Sequence, residues 1–216
     1  MLIQPWDSVD DAEALDFVRH NEFGQLIAVG RGRDVPVVVP TQFLLADDET
    51  VLLHLARPNP VWHPIEENPI VLLAVTGDWA FIPGAWKKLP ELDEDPAYGV
   101  PTTYYAAVQL VCRARIVDDF AEKAEILRSQ LERLDPEGGL VDPAAHDRVL
   151  NGIRGLHLRV TEIRGKFKYG GNVDANHRQH VAEQLAKRDG PGDADARDHL
   201  LRRLDSPPRK AQRPQH

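Results

Sequence analysis

The sequence has 216 residues, a length that suits one domain of ordinary size, with or without a helical extension. Hydrophobic residues make up 42%, which is enough for a packed core and excludes a globally disordered chain. The formal net charge of -8 would repel a nucleic-acid backbone, and the single cysteine, Cys112, excludes an intramolecular disulfide and a multi-cysteine metal site. Because the apolar runs are only as long as strands and the N-terminus is acidic, we expect a cytoplasmic protein without a membrane span or an export signal.

The first part of the chain reads as one short helix followed by several strands. Ser8 and Asp11 resemble a capping box, and the helix after them is predicted to end near His20. Short runs of β-forming residues then alternate with Gly, Pro and Asp turn signals. The predicted strands are 25–30, 35–39, 50–55, 70–75 and 79–82. This spacing favours an antiparallel meander or barrel over alternating βαβ units.

The second part begins with the most regular pattern in the sequence. Strict alternation over 104–117 predicts a long strand with one apolar face, on which Cys112 is a small buried residue. Asp118 and Asp119 are predicted to cap a helix that ends near Leu134. A helix at 144–153, a strand at 156–161 and a helix over 172–188 follow. The order predicts an α+β antiparallel barrel over residues 1–188, and a polar extension over 189–216 that is disordered from about 205 onward.

Nine histidines are the first candidates for chemistry, since imidazole is a common ligand of iron and a proton carrier near neutral pH. His177 and His180 lie three apart on a predicted helix and would share one face, but no cysteine or carboxylate stands at a matching spacing. The pattern predicts solvent-exposed side chains for five others. These are His20, His146, His157, His199 and His216.

The two remaining histidines, His54 and His63, flank a stretch stiffened by prolines. Asn59 followed by a proline is typical of a helix start, whereas Pro64 prevents that turn from lengthening normally. We therefore predict that His63 is held on rigid, non-repetitive backbone as a candidate metal ligand. The alternative is that Trp62 fills the end of the barrel and His63 merely borders it.

Two further pairs of residues are candidates because they carry polar groups. Tyr104 and Tyr105 must face opposite sides of a strand, so one can join the core while the other offers a hydroxyl group; ordinary strand propensity is the alternative. Lys166 and Lys168 share one face if their segment is extended, and two glycines follow them. Such a pair can hold carboxylates or a phosphate, whereas a solvated basic hairpin is the simpler alternative.

Several motifs together resemble the PaiB-like family, whose members are described as FMN-binding negative transcriptional regulators with the FMN-binding split-barrel fold. The motifs are HLARPNPVW from His54, DWAFIP from Asp78 with Trp86 after it, GVPTTYYAAV from Gly99, IVDD from Ile116 and GKFKY from Gly165. The resemblance covers roughly residues 1–185. It implies an antiparallel split β-barrel with flanking helices that binds its cofactor as a homodimer.

Three segments depart from the usual pattern of that family, and in these segments the sequence is similar to a side branch of it, the piperazate synthases. They are AWK at 85–87, TTYYAAV at 102–108 and GKFKYGGN at 165–172, accompanied by VWH at 61–63 and RGLHLRVTEIR at 154–164. This branch binds haem b in place of FMN and closes N5-hydroxyornithine into a six-membered ring by forming an N–N bond with loss of water.

The branch resemblance implies a role for each candidate residue. His63 would be the axial metal ligand with His54 in reserve, in a dimer whose two cofactors each touch both chains. The remaining cofactor contacts would be Arg57, Trp62, Trp86 and Lys166, and the catalytic groups Tyr104, Tyr105 and Lys168. The alternatives are an FMN-binding oxidoreductase and a flavin-binding transcriptional regulator. The acidic charge and the lack of a helix-turn-helix pattern argue against DNA binding.

Overall fold

The computed structural model describes residues 1–89, 91–94, 99–137 and 142–204. These residues divide into two compact units. The first unit draws on the described residues within Met1–Asp10, Thr76–Ala107 and Gly165–His216, and the second on those within Asp11–Val75 and Val108–Arg164.

The described residues form six α-helices and seven strands. The helices are α1 (Asp11–His20), α2 (Trp62–Glu67), α3 (Phe120–Leu134), α4 (Asp147–Asn151), α5 (Ala175–Arg188) and α6 (Asp193–Arg202). The strands are β1 (Phe23–Ala28), β2 (Val37–Gln42), β3 (Leu44–Leu45), β4 (Thr50–Ala56), β5 (Ile70–Ile82), β6 (Thr102–Val117) and β7 (Ile153–Lys168). Two short 3₁₀ helices lie at Gly84–Lys87 and Pro143–Ala145.

Seven strands form one sheet in the order β2-β1-β5-β6-β7-β4-β3. β1 pairs antiparallel with β2 and β5, and β4 pairs antiparallel with β3 and β7. Within the second unit β2 also contacts β4, so the sheet curves back toward its own edge around a buried apolar core. The α+β class and the antiparallel sheet with flanking helices are as predicted.

The prediction for the most regular segment is confirmed. In β6, Tyr104, Ala106, Val108, Leu110 and Cys112 are all buried, and Cys112 is fully enclosed. α3 begins directly after Asp119, whose side chain accepts a hydrogen bond from the backbone N–H of Glu122, 2.9 Å away. The strict alternation of apolar residues therefore predicted β6 correctly, and the Asp119 cap predicted the start of α3 correctly.

β5 is a single strand where the sequence predicted two. It continues through Asp78, which has a left-handed backbone with a φ of 53°. The Tyr169 hydroxyl donates to the Asp78 carbonyl oxygen at 2.7 Å, and His199 Nε2 lies 2.8 Å from the Asp78 carboxylate. These contacts hold an unfavourable conformation within the strand, where the local sequence resembles a turn. β7 is likewise longer than predicted and reaches Lys168.

Residues 189–204 differ from the predicted polar extension. They include α6, which packs against α5 and buries Ala196, His199 and Leu200. The Asp193 carboxylate accepts hydrogen bonds from Arg188 at 2.5 and 2.8 Å, which fixes the start of the helix. The predicted disorder from residue 205 onward concerns residues outside the described ranges. Within those ranges, none of the helices combines the length and the apolar character of a membrane span.

Candidate functional site

The first group of predicted site residues lies around α2 in the second unit. We call Trp62, His63, Glu67 and Arg154 the α2 cluster. The helix begins at Trp62, later than predicted, although the Asn59 side chain does accept from the Val61 N–H at 3.0 Å, the hydrogen bond expected of the predicted cap. Proline at the third helical residue is tolerated, because the first-turn N–H groups have no partner inside the helix. His63 therefore lies on a short regular helix and not on non-repetitive backbone.

The His63 side chain is 72% exposed, and its Nε2 atom lies 3.3 Å from Oε1 of Glu67. Glu67 is itself fixed, because it accepts from the backbone N–H of Arg31 at 2.7 Å and faces the guanidinium of Arg33 at 3.4 Å. These contacts, the Arg31 hydrogen bond first, hold the pKa of Glu67 below its usual range. A charged, oriented carboxylate thus faces one ring nitrogen. No hydrogen bond of the described residues involves the other nitrogen.

Trp62 is buried and fixes α2 in place. Its indole N–H donates to the carbonyl oxygen of Ala56 at 3.0 Å, and the guanidinium of Arg154 lies 5.1 Å from its ring centre. Arg154 also forms two hydrogen bonds, of 2.7 and 3.0 Å, with the Asp118 carboxylate. Trp62 is therefore a packing residue, and the neighbouring His63 side chain is exposed.

His54 and Arg57 are already engaged within the second unit. Nδ1 of His54 lies 2.6 Å from Oε1 of Gln130 on α3. Arg57 donates to the carbonyl oxygen of Asn151 at 2.9 Å and lies 3.4 Å from the Asp118 carboxylate. Of the two histidines proposed as ligands, His54 is half-buried, whereas the His63 side chain is 72% exposed.

The second group lies in the first unit, where we define the lysine cluster as Asp7, Lys87, Thr102, Tyr105, Lys166 and Lys168. Lys166 Nζ donates to the carbonyl oxygen of Leu2 at 2.9 Å, lies 3.9 Å from the Asp7 carboxylate and lies 5.6 Å from the Tyr105 ring centre. Lys168 Nζ donates to the Thr102 hydroxyl at 2.6 Å. The predicted shared face of the two lysines is present, because Phe167 between them is buried.

Sequence reasoning missed Lys87, which ends the 3₁₀ helix Gly84–Lys87. Burial, together with the positive charge of Lys168, lowers the pKa of Lys87. Glu67 in the α2 cluster was also missed. The signal for Glu67 was its spacing of four residues from His63. For Lys87 the only signal was its place in the AWK segment at 85–87, because the effect of Lys168 on its pKa arises through tertiary structure.

The two adjacent tyrosines face opposite ways, as predicted. Tyr104 is buried with its ring edge toward Tyr169, 6.0 Å between centres, and burial raises its pKa to about 12. Tyr105 is half-exposed in the lysine cluster. Trp86 is half-exposed as well, and the guanidinium of Arg188 covers its ring at 4.7 Å.

The two glycines after Lys168 lie close to other parts of the protein. Gly170 has a φ of 67°, and a Cβ added there would lie 2.8 Å from the Tyr104 hydroxyl. A Cβ at Gly171 would lie 2.1 Å from the carbonyl oxygen of Trp6. These glycines therefore serve internal packing.

Three of the remaining histidines differ from their predictions. His177 is buried between Asp174 at 2.9 Å and Glu94 at 2.5 Å, so it does have carboxylate partners. His199 is buried beside Asp78, and His157 is half-buried. His20 and His146 are exposed as predicted, and His216 lies outside the described residues. Within the described ranges no three His, Cys, Asp or Glu side chains are grouped to hold a metal ion.

Comparison with known proteins identifies the family. Residues 1–162 match the family of putative FMN-binding domains. Among solved structures, the flavocytochrome Anf3 from Azotobacter vinelandii aligns with a TM-score of 0.58 and 22% identity over 76% of this chain and 71% of its own. The FAD and haem binding protein from Mycobacterium smegmatis aligns with a TM-score of 0.58 and 15% identity over 82% and 78%.

A conserved hypothetical protein from Mycobacterium tuberculosis also aligns, with a TM-score of 0.53 and 17% identity over 77% of this chain and 90% of its own. No curated protein matches the chain. At these identities the structural likeness establishes the antiparallel split-barrel fold, and the match over residues 1–162 establishes the family. The chain belongs to the family of putative FMN-binding domains.

Proposed function

We propose that this protein binds haem b through His63 and closes N5-hydroxyornithine into a six-membered ring by forming an N–N bond with loss of water. The observation that carries the proposal is the exposed His63 imidazole with the Glu67 carboxylate 3.3 Å from one ring nitrogen. Membership in a cofactor-binding family supports it, and so do the names of two fold neighbours, a flavocytochrome and an FAD and haem binding protein.

The chemistry of this donor set fits a haem. Haem iron takes a single axial imidazole in many proteins, and a ligating histidine usually places its other ring nitrogen against a carboxylate or carbonyl. Glu67 lies 3.3 Å from Nε2 of His63, so Nδ1 is the nitrogen left for the iron in this arrangement, and the contacts of Glu67 with Arg31 and Arg33 restrict its motion. When bound, ferric haem supplies a Lewis acid that weakens the N–O bond of the hydroxylamine.

The protein's own polar groups supply binding and proton donation. The reaction joins the α-nitrogen to the hydroxylated nitrogen and releases water, so it requires no external oxidant or reductant. The substrate carboxylate requires a cation and the departing oxygen a proton donor, and the family resemblance assigns these roles to Lys168 and Tyr105. The site also restricts the flexible substrate, so that its two nitrogen atoms come close enough to react.

The direct test is to reconstitute the purified chain separately with haem b and with FMN, and to incubate each form with N5-hydroxyornithine. We expect the haem form alone to give a product lighter by one water, detected by mass spectrometry. Ornithine, which lacks the departing oxygen, is the matched control and should remain unchanged. A haem-loaded protein that leaves N5-hydroxyornithine intact would overturn the proposal.

The second candidate is an FMN-binding oxidoreductase or a flavin-binding regulator, and the description of the family supports its FMN binding. The absorption spectrum of protein purified from a host supplied with both cofactors separates the candidates. The haem proposal predicts a Soret band at about 400 nm. A flavin double band with no Soret band would support the second candidate. The net charge of -8 disfavours a regulator that binds DNA.

We extend the proposal to a homodimer, in which the cofactor contacts both chains. Trp79 and Phe81 support it, because they lie on one face of β5 with 59% and 50% of their surface exposed. Sedimentation of the Trp79→Gln/Phe81→Gln variant should show a monomer. Phe23→Gln, at an equally exposed aromatic residue of β1, is the control and should stay dimeric. A wild-type monomer would contradict this extension.

A further inference from the structure

A buried histidine lies between two carboxylates in the first unit. The His177 side chain is only 6% exposed, and the residue lies in the first turn of α5. Its Nδ1 atom lies 2.9 Å from Oδ2 of Asp174, the residue that caps this helix. Its Nε2 atom lies 2.5 Å from Oε1 of Glu94. Both ring nitrogens therefore face an acidic oxygen.

These two contacts require a hydrogen on each ring nitrogen. An ionised carboxylate only accepts hydrogen bonds, whereas a neutral imidazole has one N–H and one lone pair. A neutral ring would therefore direct its lone pair at a carboxylate oxygen inside a buried contact, where water screens the repulsion poorly. An imidazolium ring donates to both oxygens, and such charge-assisted hydrogen bonds are short and strong.

The charge of Asp174 fits this arrangement. Burial raises the pKa of Asp174, but the hydrogen bonds from His177 outweigh burial and hold that pKa below its ordinary value. The next residue of α5, Arg178, is buried, and its charge interacts with that of Asp174 and with that of Arg203 after α6. Asp174 is thus a carboxylate that can accept from a charged ring.

Two further elements pack against α5 and contribute titratable groups. α6 contributes Asp193 and His199, which are buried and have their contacts with Arg188 and Asp78. The first 3₁₀ helix ends at Lys87, which is half-buried. The hydrogen bonds of the two buried groups on α6 are therefore satisfied away from His177.

Glu94 connects this ring to the backbone that follows the first 3₁₀ helix. Its Oε2 atom accepts from the backbone N–H of Leu89 at 2.7 Å, while its Oε1 atom faces His177. Leu89 lies two residues after the AWK segment at 85–87. One carboxylate therefore ties the backbone just after that segment to α5.

We propose that His177 is an imidazolium that holds Glu94, and with it the Leu89 backbone, against α5, and that loss of its proton releases this contact. The contact is complete in mildly acidic solution, where the ring is charged, and is lost as the ring gives up its proton at higher pH. This pH-dependent contact goes beyond the proposed function, because it involves neither the cofactor nor the substrate.

The protonation state is tested by ¹⁵N NMR of histidine-labelled protein at about pH 8, where an ordinary histidine, with a pKa of about 6.5, is neutral. Both ring nitrogens of His177 should have the similar chemical shifts of an imidazolium. His180, which is half-buried three residues further along α5, should give the unequal shifts of a neutral ring. His177→Gln identifies the signals by their loss. A neutral His177 at this pH would overturn the proposal.

The release of the contact is tested by hydrogen exchange of the Leu89 amide, corrected for the intrinsic effect of pH on exchange. We expect the protection of this amide to fall at least tenfold between about pH 7 and about pH 10. Glu94→Gln is the matched variant, because its amide oxygen can still accept from Leu89 while its NH₂ group donates to a neutral His177 ring.

Protection in Glu94→Gln should therefore persist at high pH. His180→Gln changes a histidine of the same helix outside the contact and should match the wild type. Constant protection of Leu89 in the wild type over this range, or the same pH dependence in Glu94→Gln, would overturn the proposal.

Discussion

Two histidines of this protein, one in each unit, show how differently the fold uses the same side chain. His199 in the first unit has only 4% of its side chain exposed, stacks on Tyr169 at 4.3 Å and contacts the Asp78 carboxylate. His63 in the second unit is 72% exposed and has a carboxylate against one ring nitrogen only. Both lie beside an acidic group, so an acidic neighbour alone does not reveal the role of a histidine.

The difference lies in what covers the ring. The imidazole of His199 is enclosed by Tyr169 and by the edge of Phe167, with centres 5.2 Å apart. Its ring is therefore part of the core. The exposed part of His63 remains available to a ligand. We expect substitutions around His199 to change stability, and substitutions at His63 to change cofactor binding.

The largest expected effect is at the start of α6, the helix that carries His199. Gly192 has a φ of 76°, and a Cβ there would lie 2.2 Å from the backbone carbonyl oxygen of Trp79. Gly192→Ala should therefore lower the free energy of unfolding by more than about 3 kcal/mol, measured by urea denaturation. Gly32→Ala, at a φ of 61° with no atom within 4 Å of the added Cβ, is the control and should cost about 1 kcal/mol. Equal costs would mean that the close approach to Trp79 is not maintained in solution.

The next effect concerns the partner of His199. Asp78→Ala removes the carboxylate from a buried imidazole and leaves alanine in a left-handed conformation, so we expect a loss of about 3 kcal/mol. Asp78→Asn tolerates that conformation and keeps an acceptor, so its loss should be about 1 kcal/mol. A double-mutant cycle with His199→Ala should give a coupling energy of about 1 kcal/mol or more. Additive losses would contradict the contact.

A smaller, pH-dependent effect is expected at Asp193. Its hydrogen bonds with Arg188 hold the pKa of this carboxyl below its ordinary value of 3.8. The stabilisation is complete above that ordinary value and is lost as the pH falls through the lowered value in the folded state. Asp193→Asn should cost about 1–2 kcal/mol at neutral pH. The gap to the wild type should narrow in acid-denaturation curves below pH 3.8, and a gap independent of pH would contradict this assignment.

The smallest effect on stability is expected at His63 itself. Because the side chain is mostly exposed, His63→Ala should change the free energy of unfolding by less than about 0.5 kcal/mol. His20→Ala is matched to it, since His20 is 71% exposed and also lies 3.7 Å from a carboxylate four residues away, Asp16. A large loss at His63 alone would show that its ring belongs to the folded core, as that of His199 does.

The sequence could predict the elements with strong local signals. The long strand β6 and the helix α3 were predictable because their periodicity and the Asp119 cap are local features. The continuity of β5 was not, since Asp78 is held in its unusual conformation by Tyr169 and His199, both far away in the sequence. Helix α6 was missed for a similar reason, because its polar sequence is buried through specific tertiary partners.

The candidate site was predictable only in part. The opposite orientation of Tyr104 and Tyr105 followed from strand geometry. The prolines around His63 predicted non-repetitive backbone, which was wrong because the helix Trp62–Glu67 accommodates Pro64 in its first turn. The lowered pKa of Lys87 reflects burial and also the positive charge of Lys168, 81 positions away in the sequence. No local pattern predicts such an electrostatic effect.

The central claim is that His63 binds iron, and the most direct measurement is the absorption spectrum of the haem-reconstituted protein and of two matched variants. We predict a Soret band at about 400 nm that shifts or disappears in His63→Ala and is unchanged in His20→Ala. Free imidazole added to the His63→Ala variant should restore the band. If His63→Ala instead keeps the wild-type Soret band, another residue holds the iron and the account is contradicted.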